Sequence, residues 1–287
     1  TDDTKLYRIG RLPAEGEQDD LQEDLDSLQV WSSNWLLKFH PDKCKRMFIS
    51  RSGVDHRASA LTMNTVSNTG EIEKKELATT EMEKDLGINI DHKLKFDHHL
   101  ELVIKKANKI MGIIRRTFNK LDMKTFKPLY TTSVRSALEY GQILWNPYLK
   151  GEIKRLEAVQ RQATKQVNGM KNIPYEERLR LLDLPSLQFR RLRGDVIETY
   201  KIIHGMYDKE VTPHLRRATR ESRGHKYKLF LERTNRLESR KHFFTNRIVI
   251  AWNKLPEDVV DAPSLNSFKN RLDNHWRNHP IKFSPEV

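Results

Sequence analysis

Residues 96–118 read FDHHLELVIKKANKIMGIIRRTF. At 100° per residue, Phe96, Leu100, Val103, Ala107, Ile110, Ile114 and Phe118 fall on one side, an unbroken apolar stripe of the kind that faces a core. Lys105, Lys109, Gly112 and Arg116 gather within an arc of about 60° on the opposite side. The stretch is therefore one long amphipathic helix whose outer face is a basic row with a glycine in its middle. Glycine inside a helix costs up to about 1 kcal/mol relative to alanine, and one way to recover that cost is the close approach of another backbone. A phosphate chain meets that condition, with the cations displacing its counterions. A solvated lysine-rich face, with Gly112 making room for a neighbouring helix, meets it as well.

Toward the C-terminus the helical pattern continues. Helices are predicted at 128–145, beginning near Pro128, at 151–168, closed by Gly169, at 174–183, and at 186–204, with Ser186 as N-cap and Gly205 just past the end. Two more are predicted at 240–255 and from Ser264 to Trp276. Residues 208–238 are rich in charge and poor in apolar periodicity, so they read as a long loop or poorly ordered insert.

Toward the N-terminus the pattern is mixed. Residues 4–11 (TKLYRIGR) alternate like a short strand, and Leu21, Leu25, Leu28, Trp31 and Trp35 recur at helical spacing. Residues 44–50 (CKRMFIS) and 85–90 (DLGINI) read as strands, with a polar connection between them that has room for a hairpin. The fold class is thus mainly α with a small α+β N-terminal part, the pattern changing between residues 95 and 96. Trp31, Trp35, Trp145 and Trp252 lie on or beside apolar stripes and are assigned to core packing.

The 287 residues carry a net charge of +13, unevenly spread. Residues 1–95 hold 14 Lys and Arg against 18 Asp and Glu, and residues 96–287 hold 38 against 21. A basic block of that size concentrates polyanions, nucleic acid foremost. The single cysteine, Cys44, closes no internal disulfide and supplies no cysteine-rich zinc site. No run of about 18 apolar residues exists, and the first 20 residues are polar and acidic. The expectation is an intracellular chain, nuclear or cytoplasmic, with no membrane partner.

The chain begins TDDTKLYR, placing Asp2 and Asp3 just before a predicted strand. Such a pair, followed by WLLKFHPDKCKRMFIS, KDLGINIDHKLKFDHHL, LYTTSVRSALEYGQILWNPY, LEAVQRQATKQVNG, YEERLRLLDLPSLQFRRLRGDVIETYKIIHG and WNKLP in that order, resembles the C-terminal part of reverse transcriptases of LINE-type, non-LTR retrotransposons, the jockey and chicken-repeat groups in particular. The resemblance implies the end of a polymerase palm at 1–95, thumb-like helices at 96–150 and a basic helical region at 151–287. It further implies that Asp2 and Asp3 are ligands of catalytic Mg²⁺, and that Lys43 protonates the pyrophosphate leaving group. Residues 85–96 would then be the hairpin that grips the primer end, and the row Lys105, Lys109, Gly112 and Arg116 would face the duplex of RNA template and DNA primer.

The chain departs from that family's pattern in carrying Thr1 for the usual alanine. By the resemblance, the fingers, the first metal-binding aspartate of the palm, the nucleotide-selecting region and an endonuclease are expected to have no counterpart in these 287 residues. The expectations are a fragment that does not polymerise by itself and a first part, 1–95, less stable than the helical remainder. Two alternatives stay open: a non-catalytic nucleic-acid-binding helical module, and the inert product of a decayed element.

Overall fold

A computed structural model describes residues 4–9, 20–37, 39–49, 60–66, 71–218, 224–233 and 238–285. The chain divides into two compact units, Thr1–Lys95 and Phe96–Val287. Helices dominate, and the sheets are small and confined to two strands each.

In the first unit, helix α1 (Asp20–Asn34) lays Leu25 against Leu61, Met63 and Leu77, with Leu21, Phe39 and Cys44 packed around them. Strands β1 (Lys45–Arg46) and β4 (Ala78–Thr79) pair in parallel. Strands β2 (Thr62–Val66) and β3 (Ile72–Glu76) form an antiparallel hairpin. The free edge of β2 is closed by side chains of α1. Gln22 donates to the Thr62 carbonyl at 2.9 Å and accepts from its N–H at 2.8 Å, and Gln29 does the same to Asn64 at 3.1 and 3.0 Å. Two amides two helical turns apart thus stand in for a neighbouring strand, covering an edge that would otherwise be open to pairing.

Strands β5 (Met82–Asp85) and β6 (Ile88–Asp91) meet antiparallel across Leu86 and Gly87, both at positive φ (43° and 88°). That pair of left-handed residues matches the twist of a two-residue hairpin, and Gly87 adopts it without steric cost. Residues 85–90 are therefore not one strand: Asp85 ends β5, Leu86 and Gly87 make the turn, and 88–90 belong to β6. Residues 4–9 form no strand, and the strand expected over 44–50 shrinks to Lys45 and Arg46. Trp31 and Trp35 depart from their expected core positions too. Trp31 lies on the outer face of α1 and Trp35 in the turn just past its end, 48% and 67% exposed, with ring centroids 6.4 Å apart.

The second unit is built around helix α2 (Asp97–Thr117), which packs against a helical run and against α6 (Lys150–Thr164). The run begins with α3 (Met123–Leu129), capped by Asp122, whose carboxylate accepts from the Thr125 N–H at 2.7 Å. It continues as a π-helical stretch (Tyr130–Arg135), α4 (Ser136–Glu139) and α5 (Gln142–Trp145). Pro128 does not open this helix as expected. It sits in the last turn of α3, and Thr131 and Thr132 turn their hydroxyls back onto its carbonyl. Proline lacks an N–H and its ring crowds the preceding turn, and the wider π winding follows directly after it.

Helix α7 (Tyr175–Leu181) leads to α8 (Leu187–Ile203). Ser186 caps α8 as expected, accepting from the Phe189 N–H at 3.0 Å while donating to the Ile281 carbonyl at 2.6 Å. Residues 240–255 are not one helix but three short ones, α9 (Glu238–His242), α10 (Phe244–Arg247) and α11 (Val249–Asn253). With α12 (Glu257–Val260) and α13 (Leu265–His275) they wrap α8 around a core of Phe189, Tyr200, Trp252, Phe268 and Leu272. Trp145 and Trp252 are buried, as their positions imply. The stretch 208–238, expected as a loop, is clipped to this core where it is described: His225 and Leu229 are buried in it. Among the described residues no helix is long and apolar enough to cross a membrane.

Candidate nucleic-acid interface

The buried face of α2 consists of His99, Leu100, Val103, Ala107, Met111 and Ile114. Ile110, expected there, is only half-buried, while His99 and Met111 at the two flanks of the stripe are buried. Lys105, Lys109 and Arg116 are exposed on the opposite side, as the wheel requires. A Cβ built on Gly112 meets no atom within 4 Å. No described residue therefore presses on this glycine, and a neighbouring helix is not the reason for it.

Lys105 reaches back one turn to Glu101 at 2.7 Å, and this bond holds the Glu101 carboxyl below its usual range. An exposed pair of this kind contributes little to stability. Lys109 and Arg116 pair with no carboxylate among the described residues, so their charge is available to a polyanion. Leu102 and Ile113, partly exposed, flank the row on one side. Neither they nor the role of Glu101 stood out in the sequence, since single apolar residues on an outer face are common.

Helix α6, on which α2 rests, is itself pinned by buried polar groups. Glu157, fully buried, accepts from the Tyr175 hydroxyl at 2.5 Å and from the Leu187 N–H at 3.0 Å. Gln160 receives the Tyr130 hydroxyl at 2.8 Å and donates to the Pro185 carbonyl at 3.1 Å. Burial pushes the Glu157 carboxyl up, opposed by Tyr175 and Arg191, while burial brings the Arg191 guanidinium down to about 10. A satisfied network in a low-dielectric interior fixes α6, and hence the seat of α2, in one arrangement.

The remaining predicted site residues fall in the first unit. Lys43 ends a 3₁₀ turn (Pro41–Lys43) with its side chain exposed. Its neighbour Asp42 forms an ion pair with Lys75, which holds the Asp42 carboxyl below its usual range. Asp2 and Asp3 lie outside the described residues. Among the described residues no group of three His, Cys, Asp or Glu side chains is placed to hold a metal ion. Two-metal chemistry needs more carboxylates than one pair, so the described residues do not furnish a Mg²⁺ centre.

No family model matches the chain, and no solved structure does. Three proteins are similar to it in sequence. A probable RNA-directed DNA polymerase from transposon BS of Drosophila melanogaster is 25% identical over 150 residues, 51% of this chain and 16% of that protein. The RNA-directed DNA polymerase from mobile element jockey, of the same organism, is 25% identical over 154 residues, 52% of this chain and 15% of that one. An uncharacterized protein of Caenorhabditis elegans is 31% identical over 127 residues, 43% of this chain and 64% of its own length. The chain is thus distantly related, over about half its length, to RNA-directed DNA polymerases of two transposons, and the matched part spans about a sixth of each of them.

Proposed function

We propose that the chain is a duplex-holding part of a LINE-type RNA-directed DNA polymerase, with residues 1–95 as the end of the palm, 96–150 as the thumb and 151–287 as a basic helical support. The observation that carries this reading is the outer face of α2, where Lys105, Lys109 and Arg116 are exposed around an open Gly112. The cations would neutralise phosphates of the RNA template and DNA primer, and the missing side chain would let the phosphate chain approach the helix. In this reading Asp2 and Asp3 offer carboxylates to Mg²⁺ and Lys43 offers a proton to departing pyrophosphate. In the same reading the chain by itself holds the duplex without extending it.

The test is binding of a labelled primer–template duplex by the chain and by its Lys105→Glu, Lys109→Glu, Arg116→Glu variant across a salt series. Loss of three phosphate contacts should weaken binding and flatten the log–log salt slope by about 3. Unchanged affinity and slope would remove α2 from the interface. Primer extension with Mg²⁺ and deoxynucleotides should give no product.

A further inference from the structure

A different meeting of cations and rings lies on the C-terminal core. Residues 216–218 and 228–230 form a short antiparallel ladder with Arg217 opposite Leu229. The Ala218 N–H donates to the Lys228 carbonyl at 2.9 Å and the Phe230 N–H to the Arg216 carbonyl at 2.8 Å. Its underside is clamped. Asn253 accepts from the Leu229 N–H at 2.9 Å and donates to the Leu229 carbonyl at 2.8 Å, and the Trp252 indole donates to the Tyr227 carbonyl at 2.9 Å. Buried His225 bonds the Trp252 carbonyl at 3.1 Å.

Strand alternation sends Leu229 into the core and Arg216 and Phe230 to the outer face, where both are exposed. The Arg216 guanidinium lies 4.5 Å from the centre of the Phe230 ring. At the rim Arg217 stands 5.4 Å from the Tyr227 ring and Lys226 5.1 Å from it. Arg190, Arg193, Arg240 and Arg247 of the same unit each sit on a carboxylate. Arg216 and Arg217 meet none among the described residues and rest on rings instead. An exposed cation–π contact adds little to a ladder already held by this many hydrogen bonds. Lys226 is compensated by Asp261 at 3.1 Å, to which the Tyr227 hydroxyl also donates at 3.3 Å. What the arrangement does leave is two guanidiniums, those of Arg216 and Arg217, that rest on rings at the surface and meet no carboxylate among the described residues.

We propose that this ladder is a stacking platform for single-stranded nucleic acid, with bases laid against Phe230 and Arg216 and phosphates drawn to Arg217. Bases stack on aromatic and guanidinium planes only when they are not stacked inside a duplex, so the ladder selects unpaired strand. An acidic polypeptide would satisfy the charge but has no flat partner for the planes. The platform shares with the function proposed above only the class of ligand, since α2 is assigned to duplex phosphates.

The experiment is fluorescence anisotropy of the whole chain with labelled oligothymidylate of about 16 nucleotides, the upper end of one such footprint, and with a duplex as second probe. Phe230→Leu keeps the apolar bulk and removes the ring, and Arg216→Lys keeps the charge and removes the plane. Each should weaken single-strand binding about tenfold while duplex binding is unchanged. The triple α2 variant should show the reverse. Single-strand affinity equal to the parent's in both ladder variants would overturn the proposal. So would displacement of the oligonucleotide by polyglutamate at equal charge concentration, which would assign the ladder to acidic polypeptide. Duplex binding without single-strand binding by the parent would overturn the platform alone, and binding of neither would overturn both assignments.

Discussion

The Arg247 guanidinium grips the Asp195 carboxylate through two hydrogen bonds of 2.9 Å, joining α10 to the middle of α8. Asn146 adds a third bond to the same carboxylate at 3.2 Å, and Arg247 also donates to the Ile143 carbonyl at 2.8 Å. Both charged side chains are largely buried. Removing one partner of a buried pair strands the other charge, at a cost of about 3–5 kcal/mol. Asp195→Ala should therefore lower the urea midpoint strongly, and Asp195→Ala with Arg247→Met should lose less than the sum of the single changes. Additive losses in that double-mutant cycle would show that the pair is not coupled.

Glu152 is expected to make stability depend on pH. Burial first, and then a hydrogen bond shared with Asp97, push its carboxyl up to about 7, against the pull of Arg155. Because the folded value lies above the usual 4.5, the folded chain favours the protonated acid. The stabilisation is complete below pH of about 4.5 and is lost as pH rises through about 7. After discounting for partial exposure, the effect is about 1 kcal/mol. Glu152→Gln should be more thermostable than the parent at pH 8 by that amount, with the advantage vanishing near pH 4.5. An advantage that is the same at both pH values would assign it to packing instead.

The helices were legible in the sequence wherever one apolar stripe met a clear stop: α2, α6, and α8 with its Ser186 cap. Readings failed where local chemistry overrode periodicity. Pro128 suggested a helix start, but Asp122 had already capped one six residues earlier. Leu86 in a left-handed turn was invisible because leucine rarely adopts that conformation. The ladder at 216–230 escaped because its anchors, His225, Tyr227 and Leu229, are too few to make a period and are held by Asn253 and Trp252, more than twenty residues away. Of the site, the outward position of Lys105, Lys109 and Arg116 followed from geometry alone. The emptiness around Gly112 did not, since it depends on which helix packs where.

That emptiness makes Gly112→Ala a two-sided measurement. With no atom within 4 Å of the new methyl group, the substitution should stabilise the helix by up to about 1 kcal/mol. If the phosphate chain comes close to the bare backbone, the same methyl group should weaken duplex binding severalfold. The expected outcome is a higher melting temperature together with lower affinity. A higher melting temperature with unchanged affinity would leave the three cations in the interface and remove the glycine from it.

The two units should also come apart under protease. In the first unit Leu25, Leu61, Met63 and Leu77 form a small apolar cluster, and its described strands make three separate two-stranded sheets. Isolated hairpins are marginal in water, and so small a cluster offsets little of the entropy of ordering the chain. The C-terminal core, by contrast, gathers sixteen buried side chains, Trp252, Tyr200 and Phe268 among them. Limited trypsin digestion followed by mass spectrometry should therefore cut first within the first unit, for which the exposed Lys93 and Lys95 are available. A fragment beginning near Phe96 should accumulate. Its circular dichroism should keep the helical signal and the melting temperature of the slower-melting phase of the whole chain. Cleavage of both units at equal rates, or loss of helical signal from the fragment, would show that the second unit depends on the first for its fold.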